Sequence, residues 1–299
     1  MIAIPAVVAV LVLVVIFALA ALGWDASGNA IHPGAAASAW KLADYPALVA
    51  EEVAVESRTG ATLSGRFIEG RTRAAIVLVH GYGGDQDEML PVADALHAGG
   101  FSVFTYDQRG CGRSSGEVTF GGREQDDLAS VVDYLASRPD VDADRIGAFG
   151  FSMGGSTTLL AAARDPRIKA VAADSAWSDV RHWLRPSVAA VFTRPRDRFH
   201  ALSLKLAEVR TGVDLDDLRP VEVVDRLSPR PVLLIHGTAD NVVVPSESER
   251  NYAAAGEPKE LVLVPGAHHG DTIAPGPSSM HAKVRTFFER ALVSTKAAA

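Results

Sequence analysis

Apolar residues along this chain change rhythm twice. From Ile2 to Leu22 they run unbroken, with only Pro5 interrupting helix-forming residues near the start. From Glu51 to Ser57 and from Ala61 to Ile68 they alternate with polar residues on either side of Arg58-Thr59-Gly60. Thereafter they gather into short continuous runs: Ala74–Val79, Phe101–Tyr106, Ile146–Phe151, Ile168–Ala173, Val232–His236 and Leu261–Val264. Alternation around a glycine-containing turn predicts a half-buried antiparallel hairpin. Continuous runs of strand length predict parallel strands buried on both faces. The intervening segments 87–98, 123–138, 153–164, 245–255 and 279–293 carry helical spacing, with Pro245 suited to a first turn. The expected architecture is α/β: a mostly parallel sheet, edged by the hairpin and covered by helices on both faces.

The first run, at 1.5 Å per residue, is long enough to cross a hydrocarbon layer of about 30 Å as a helix. Residues 1–22 are therefore assigned to a transmembrane anchor that places the protein at a membrane, single-pass. The competing assignment is a cleaved signal with Ala18-Leu-Ala20 at its end and a secreted product, but the basic start of such signals is missing. With no lysine or arginine ahead of the run, membrane orientation is unspecified. Residues 23–49 form a linker, because Gly23 to Pro46 is rich in Gly, Ala, Ser and Pro, with one short helix expected around Ala36–Ala43. Residues 50–293 form the folded domain and 294–299 a flexible tail.

Composition narrows the function. With 48% hydrophobic residues, 299 positions supply one large core. A formal charge of -7 provides no basic field for a polyanion, so no nucleic-acid partner is expected. Cys111 is the only cysteine, which excludes an internal disulfide and a cysteine-rich metal site; it reads as a small packed residue. His80, His236, His268 and His269 fall near strand ends, but no H-E-x-x-H accompanies them and no metal is expected. The glycine-rich loop at 80–84 has neither a following G-K-[ST] nor G-x-G-x-x-G spacing, so no nucleotide cofactor is expected.

The chemistry lies in Gly150-Phe151-Ser152-Met153-Gly154. Placed between a buried strand and an alanine-rich helix, this G-x-S-x-G reads as a nucleophile elbow that lifts a serine hydroxyl above the strand end. Asp240 and His269 follow, each just beyond a predicted strand, in the order Ser, Asp, His. Together with His80-Gly81-Tyr82-Gly83-Gly84 and Asp107-Gln108-Arg109-Gly110-Cys111-Gly112-Arg113-Ser114-Ser115-Gly116, these motifs resemble the α/β-hydrolase superfamily over roughly 50–293. The second loop is similar to one in its esterase, lipase-like and serine-aminopeptidase-like members.

That resemblance implies an α/β-hydrolase fold and a triad of Ser152 as nucleophile, His269 as base and Asp240 as orienting acid. Pro265-Gly266-Ala267-His268-His269-Gly270 resembles the superfamily's G-A-G-H-G segment with His269 at the matching place, and His236-Gly237-Thr238-Ala239-Asp240 resembles H-G-x-x-D. His268 is the alternative base. Asp174, after the strand that follows the elbow helix, is the alternative acid. The backbone N–H groups of Met153 and Tyr82 are expected to form the oxyanion hole. His80, Gly81, Gly83, Asp107 and Arg109 are assigned to loop support, with Arg109 alternatively binding a substrate carboxylate.

Residues 178–230 break the strand-and-helix rhythm, and in this superfamily such an insertion implies a small helical cap. Between Arg181 and Arg210 it holds Arg181, Arg185, Arg194, Arg196, Arg198, Lys205 and Arg210 against Asp197 and Glu208. These read as a solvated surface or, alternatively, as a patch facing anionic headgroups. The expected activity is serine hydrolysis of carboxylic esters through an acyl-enzyme, with small ester or lipid-like substrates. A serine peptidase or amidase is the enzymatic alternative, and a membrane-tethered binding module with a vestigial triad the non-enzymatic one.

Overall fold

The computed structural model describes residue 22 and residues 24–33, 38–184 and 205–293. Its eight strands are β1 (Ala50–Glu56), β2 (Thr62–Ile68), β3 (Ala75–Val79), β4 (Ser102–Tyr106), β5 (Ile146–Phe151), β6 (Ile168–Asp174), β7 (Val232–Gly237) and β8 (Lys259–Val264). They form one sheet in the order β1-β2-β4-β3-β5-β6-β7-β8. β2 pairs antiparallel with β1 and β4, and every other pairing is parallel. The hairpin thus occupies one edge, as the alternating pattern predicts. β8 begins two residues before its apolar run, because Lys259 and Glu260 pair with Val232 and Leu233 across an otherwise open edge.

The pleat sends consecutive side chains to opposite faces. Ala75, Val77 and Val79 pack on one side with Leu128, Val131 and Val132 from α3 (Glu124–Ser137) and Leu159 and Ala162 from α4 (Met153–Arg164). Ile76 and Leu78 pack on the other with Leu90, Val92 and Leu96 from α2 (Leu90–Ala98) and Val284 and Phe288 from α7 (His281–Phe288). Every residue of β3, β4, β5 and β7 is buried, which explains why their sequences run apolar rather than alternate.

A third apolar cluster sits over the C-terminal ends of the strands. It joins Cys111, Val118, Phe120, Met153, Trp177, Val180, Leu215, Leu218 and Val243, with Ala30 packed against it. Within 178–230 the described residues form α5 (Val180–Leu184), α6 (205–211) and three short 3-10 turns at Leu215–Asp217, Pro220–Glu222 and Val224–Leu227. Residues 185–204, with Arg185, Arg194, Arg196 and Arg198, lie outside the described residues.

The N-terminal segment differs from the expected stalk. Its helix, α1, covers 24–31; of the helix expected at 36–43, residues 36 and 37 lie outside the described residues, 38–41 are irregular and a 3-10 turn covers Leu42–Asp44; Ile31 and Ser27 are fully buried. Ile31 is enclosed and Ala30 packs on the third apolar cluster, a tertiary contact that a Gly, Ala and Ser-rich composition does not reveal. The proposed anchor 2–22 lies outside the described residues except for Leu22. Among the described residues, no helix is long and apolar enough to cross a membrane.

One buried ion pair joins the hairpin, a sheet-edge loop and α3. Arg109, 2% exposed, grips Asp127 in two-pronged fashion, Nε to Oδ2 at 2.6 Å and Nη2 to Oδ1 at 2.7 Å. Arg109 also donates to the Thr59 hydroxyl in the β1–β2 turn, and Ser57 donates to Asp127. Its guanidinium is consumed by structural partners. Arg109→Met should leave the Asp127 charge buried and unpaired, lowering unfolding free energy by roughly 3–5 kcal/mol. Urea denaturation measures this, and adding Asp127→Leu should recover much of the loss.

Candidate active site

Ser152 is the hinge between β5 and α4, and its backbone adopts φ 53 and ψ -118, a left-handed conformation rare outside glycine. Two glycines make the turn possible. A Cβ on Gly150 would lie 2.1 Å from the carbonyl oxygen of Gly154, and one on Gly154 would lie 2.2 Å from that of Val79. The Ser152 N–H donates to the Asp174 carbonyl at 2.8 Å, pinning the turn to the end of β6. The serine side chain is thereby raised at the C-terminal edge of the sheet.

Loops beyond β7 and β8 bring two further side chains to it. His269 Nε2 lies 3.1 Å from Ser152 Oγ, and its Nδ1 lies 2.7 Å from Asp240 Oδ2. An ionised carboxylate only accepts, so Nδ1 carries the proton and Nε2 presents its lone pair to the serine hydroxyl. Asp240 Oδ1 accepts the N–H groups of Val242 and Val243, both at 2.9 Å. Burial alone would raise the Asp240 pKa, but the His236 and His269 rings beside it hold it well below the usual carboxylate range. The Phe151 ring packs against His269 with centroids 4.8 Å apart.

His268 turns away. Its Nδ1 donates to the Ala239 carbonyl at 3.0 Å, so of the adjacent pair only His269 meets Ser152 and Asp240. Asp174 is fully buried beneath the serine, and its Oδ1 accepts from the Ser175 hydroxyl at 3.0 Å. Burial pushes its carboxyl pKa up to about 6, against lowering by Thr272, Ser175 and the two neighbouring histidines. The imidazole is hydrogen-bonded to Asp240, not to Asp174.

The remaining candidate residues build the rim. His80 Nε2 accepts the Gln108 N–H at 2.8 Å, so Nδ1 carries the proton and donates to the Gly81 carbonyl at 2.6 Å. This ring joins the 80–84 and 107–116 loops. Gly81 N–H donates to Glu88 at 2.7 Å, and Gly83 takes a positive φ of 70. Asp107 accepts the backbone N–H groups of Gln86 at 2.7 Å and Arg113 at 2.9 Å. Met153 opens α4, where first-turn N–H groups have no intrahelical acceptor. Tyr82 stacks on Phe120 at 5.7 Å and donates its hydroxyl to the Ala30 carbonyl at 2.9 Å. Cys111 is buried, and burial pushes its thiol up to about 12, as befits a packed residue rather than a reactive one.

Sequence reasoning passed over three contributors. His236, read as part of a motif and weighed as a metal ligand, donates Nε2–H to the Val243 carbonyl at 2.8 Å and so accepts the Ser248 hydroxyl at Nδ1, bracing the loop that carries Asp240. Phe120 holds a positive φ of 55, and Ala30 reaches the site from the supposed linker. Phe120 and Ala30 have no local sequence signal, because each meets Tyr82 from far along the chain, whereas His236 is marked only by its place in H-G-x-x-D.

An eight-stranded, mostly parallel sheet with a serine elbow after β5, an aspartate after β7 and a histidine after β8 is that of an enzyme of the α/β-hydrolase type. Within that superfamily the chain belongs to the prolyl oligopeptidase family, which residues 92–294 match. An uncharacterised protein of Escherichia coli K12, YfhR, is 32% identical over 233 residues, spanning 75% of each chain. The uncharacterised Rv2307c of Mycobacterium tuberculosis is 33% identical over 224 residues, 74% of this chain and 72% of that one. Among solved structures, the Pyrococcus furiosus esterase Pf2001 superposes with a TM-score of 0.70 at 23% identity, covering 88% of this chain and 98% of that one. At that identity the likeness speaks for the fold.

Asp174 gives a prediction free of any substrate. Its folded-state pKa of about 6 exceeds the ordinary 3.8, so the native state holds the proton more tightly. Stability therefore falls as pH rises from about 4 to 6, and above that the ionised group costs roughly 3 kcal/mol at most. Asp174→Asn should raise the melting temperature at pH 8, with the gain shrinking as pH falls through 6 toward 4. A gain independent of pH would contradict the buried-carboxylate account.

Proposed function

We propose that this protein is a serine hydrolase that cleaves carboxylic esters through an acyl-enzyme. The observation that carries the reading is the continuous row from Ser152 Oγ through His269 to Asp240. Ser152 Oγ attacks the ester carbonyl carbon while His269 Nε2 takes its proton. The carbonyl oxygen becomes an oxyanion, which the N–H groups of Met153 and Tyr82 stabilise. His269 then returns the proton to the departing alkoxide, leaving an acyl-serine and an alcohol. A water, deprotonated by the same imidazole, attacks the acyl carbon; the serine leaves with the proton and a carboxylic acid is released. Asp240 keeps the tautomer and stabilises the imidazolium in both halves.

Three features favour an ester with an apolar acyl portion. The cluster of Phe120, Met153, Trp177, Leu218 and Val243 adjoins the nucleophile. Three acidic residues of the 214–225 stretch, where a peptide's amino terminus would be held, are engaged elsewhere: Asp214 accepts the Asp216 N–H, Asp216 pairs with Arg181 and Glu222 with Arg219. The described cations between Arg181 and Arg210 are similarly occupied, Arg181 and Lys205 by Glu208 and Arg210 by Trp24, which speaks for an acyl chain rather than a charged headgroup. The second reading, an amidase or peptidase, rests on membership of the prolyl oligopeptidase family. We further propose that Ile2–Leu22 tethers the enzyme to a membrane, with 185–204 completing the cap.

Fluorophosphonate should label the protein and fail to label S152A; absence of labelling in the unaltered chain would favour a vestigial triad. S152A, H269A and D240A should each lose about a thousandfold or more in kcat, non-additively, while H268A and D174N stay within a few-fold of the parent. A kcat/KM panel of short and long acyl esters against aminoacyl and prolyl amides decides the substrate class. Amide turnover above that of every ester would transfer the assignment to a peptidase. Carbonate extraction should leave the full-length chain in the membrane pellet, whereas release of a product lacking the first twenty or so residues would identify a secreted enzyme.

A further inference from the structure

The α1 segment meets three separate parts of the site's surroundings. Helices end with carbonyls that have no partner within the helix. Here the body of the enzyme supplies the donors: the Tyr82 hydroxyl to the Ala30 carbonyl at 2.9 Å, and the Val118 N–H to the Ile31 carbonyl at 2.9 Å. At the other end, Arg210 on α6 donates to the Trp24 carbonyl at 3.0 Å and lies over the Trp24 ring, 4.6 Å from its centroid. Ile31 is fully buried, and Ala30 packs on the apolar cluster that contains Met153 and Phe120. Tyr82 is held from both sides, by Phe120 stacked on its ring and by Ala30 at its hydroxyl.

From these contacts we propose that residues 24–32 are a positioning strap. By fixing the phenol of Tyr82, the strap sets the path of the 80–84 loop and hence the aim of the Tyr82 N–H. By gripping Arg210 it joins that loop to the cap. Tyr82 and Ile31 are then positioning residues, acting through backbone that faces the substrate, and the Tyr82 hydroxyl serves as a tether instead of a donor to substrate. The catalytic part of this inference rests on the serine-hydrolase reading above, whereas the mechanical part does not.

Two variants separate the alternatives. Ile31→Asp places a charge where a fully buried isoleucine sits and should undock the strap; Tyr82→Phe removes only the tethering hydroxyl, and Ile31→Val is the conservative control. Hydrogen exchange read by mass spectrometry should show faster exchange at 80–84 and at 205–211 in I31D, with the sheet strands and the melting of the core unchanged. I31V should behave as the parent. The rate of fluorophosphonate labelling at Ser152 should fall about ten- to a hundredfold in I31D, the scale expected of a donor misplaced by an ångström or so. Y82F should give a smaller loss, and the Y82F/I31D double variant should be no slower than I31D, because both changes cut one linkage. Turnover of a short soluble ester should fall in kcat with KM little changed.

Unchanged exchange at 80–84 in I31D would overturn the strap, whatever the enzyme's chemistry. Multiplicative losses in the double variant would also overturn it, making the Tyr82 hydroxyl an independent contributor. Faster exchange together with no labelling of the unaltered protein would leave the strap standing and refute the serine-hydrolase reading. Should I31D fail to fold, Y82F carries the test: exchange at 80–84 equal to the parent's would refute the tether.

Discussion

The strained turn at Ser152 is the constraint around which the rest of this molecule is arranged. A serine at φ 53 costs about 1–3 kcal/mol, and it persists only where the surroundings leave no alternative. Those surroundings are explicit. Phe151 before it is locked into the cluster on one sheet face and Met153 after it into the cluster above the strand ends, so the chain cannot relax by rotating either neighbour into solvent. Gly150 and Gly154 approach other backbone so closely that a methyl group at either place would collide with a carbonyl. The turn exposes the start of α4, whose amide dipoles favour negative charge where an oxyanion would develop. Strain, clearance and electrostatics are consequences of one backbone geometry.

Around that turn, two buried carboxyl groups are driven in opposite directions. Asp240 receives two backbone N–H groups and sits beside two imidazoles, so it stays charged at any ordinary pH. Asp174, equally hidden, has fewer donors, and burial wins. Divergent environments of this kind separate roles among chemically identical groups. They also explain the division among the histidines. His80 and His236 spend both ring nitrogens on neighbouring structure. His269 spends one on Asp240 and aims the other at the serine.

How much of this was legible in the linear chain follows the range of the interactions involved. The strands and flanking helices were readable because burial on two faces demands continuous apolar runs, and the hairpin because one residue in two faces water. Ser152, Asp240 and His269 were readable because each stands in a short motif attached to a strand end. Tyr82's tether, Phe120's stacking and the docking of Ile31 were not. Val118 and Ile31, for example, meet through a single backbone hydrogen bond across most of a hundred residues, and neither residue type hints at it. The supporting role expected of Arg109 was legible, but its partner was not, because Asp127 lies in an unremarkable stretch of helix.

The roof over the nucleophile is built on different terms from the sheet. Its described parts are short helices and 3-10 turns contributed by 24–31, 180–184 and 205–227, with irregular chain at 117–120, and these share no strand ladder. They are joined by pairs such as Arg219 with Asp179 and Arg123 with the Thr211 carbonyl, and by Glu247, which takes the Ser178 N–H and hydroxyl. Exposed ion pairs contribute only about 0–1 kcal/mol each. Regions with few backbone ladders open at lower free energy than the core to which they are attached. Ester and amide hydrolysis require the same elbow, base and oxyanion donors, so whatever decides between substrates resides in this more loosely held layer. Altering roof residues outside the cluster that holds Met153 therefore leaves the strained serine in place, while altering that cluster or the sheet disturbs it.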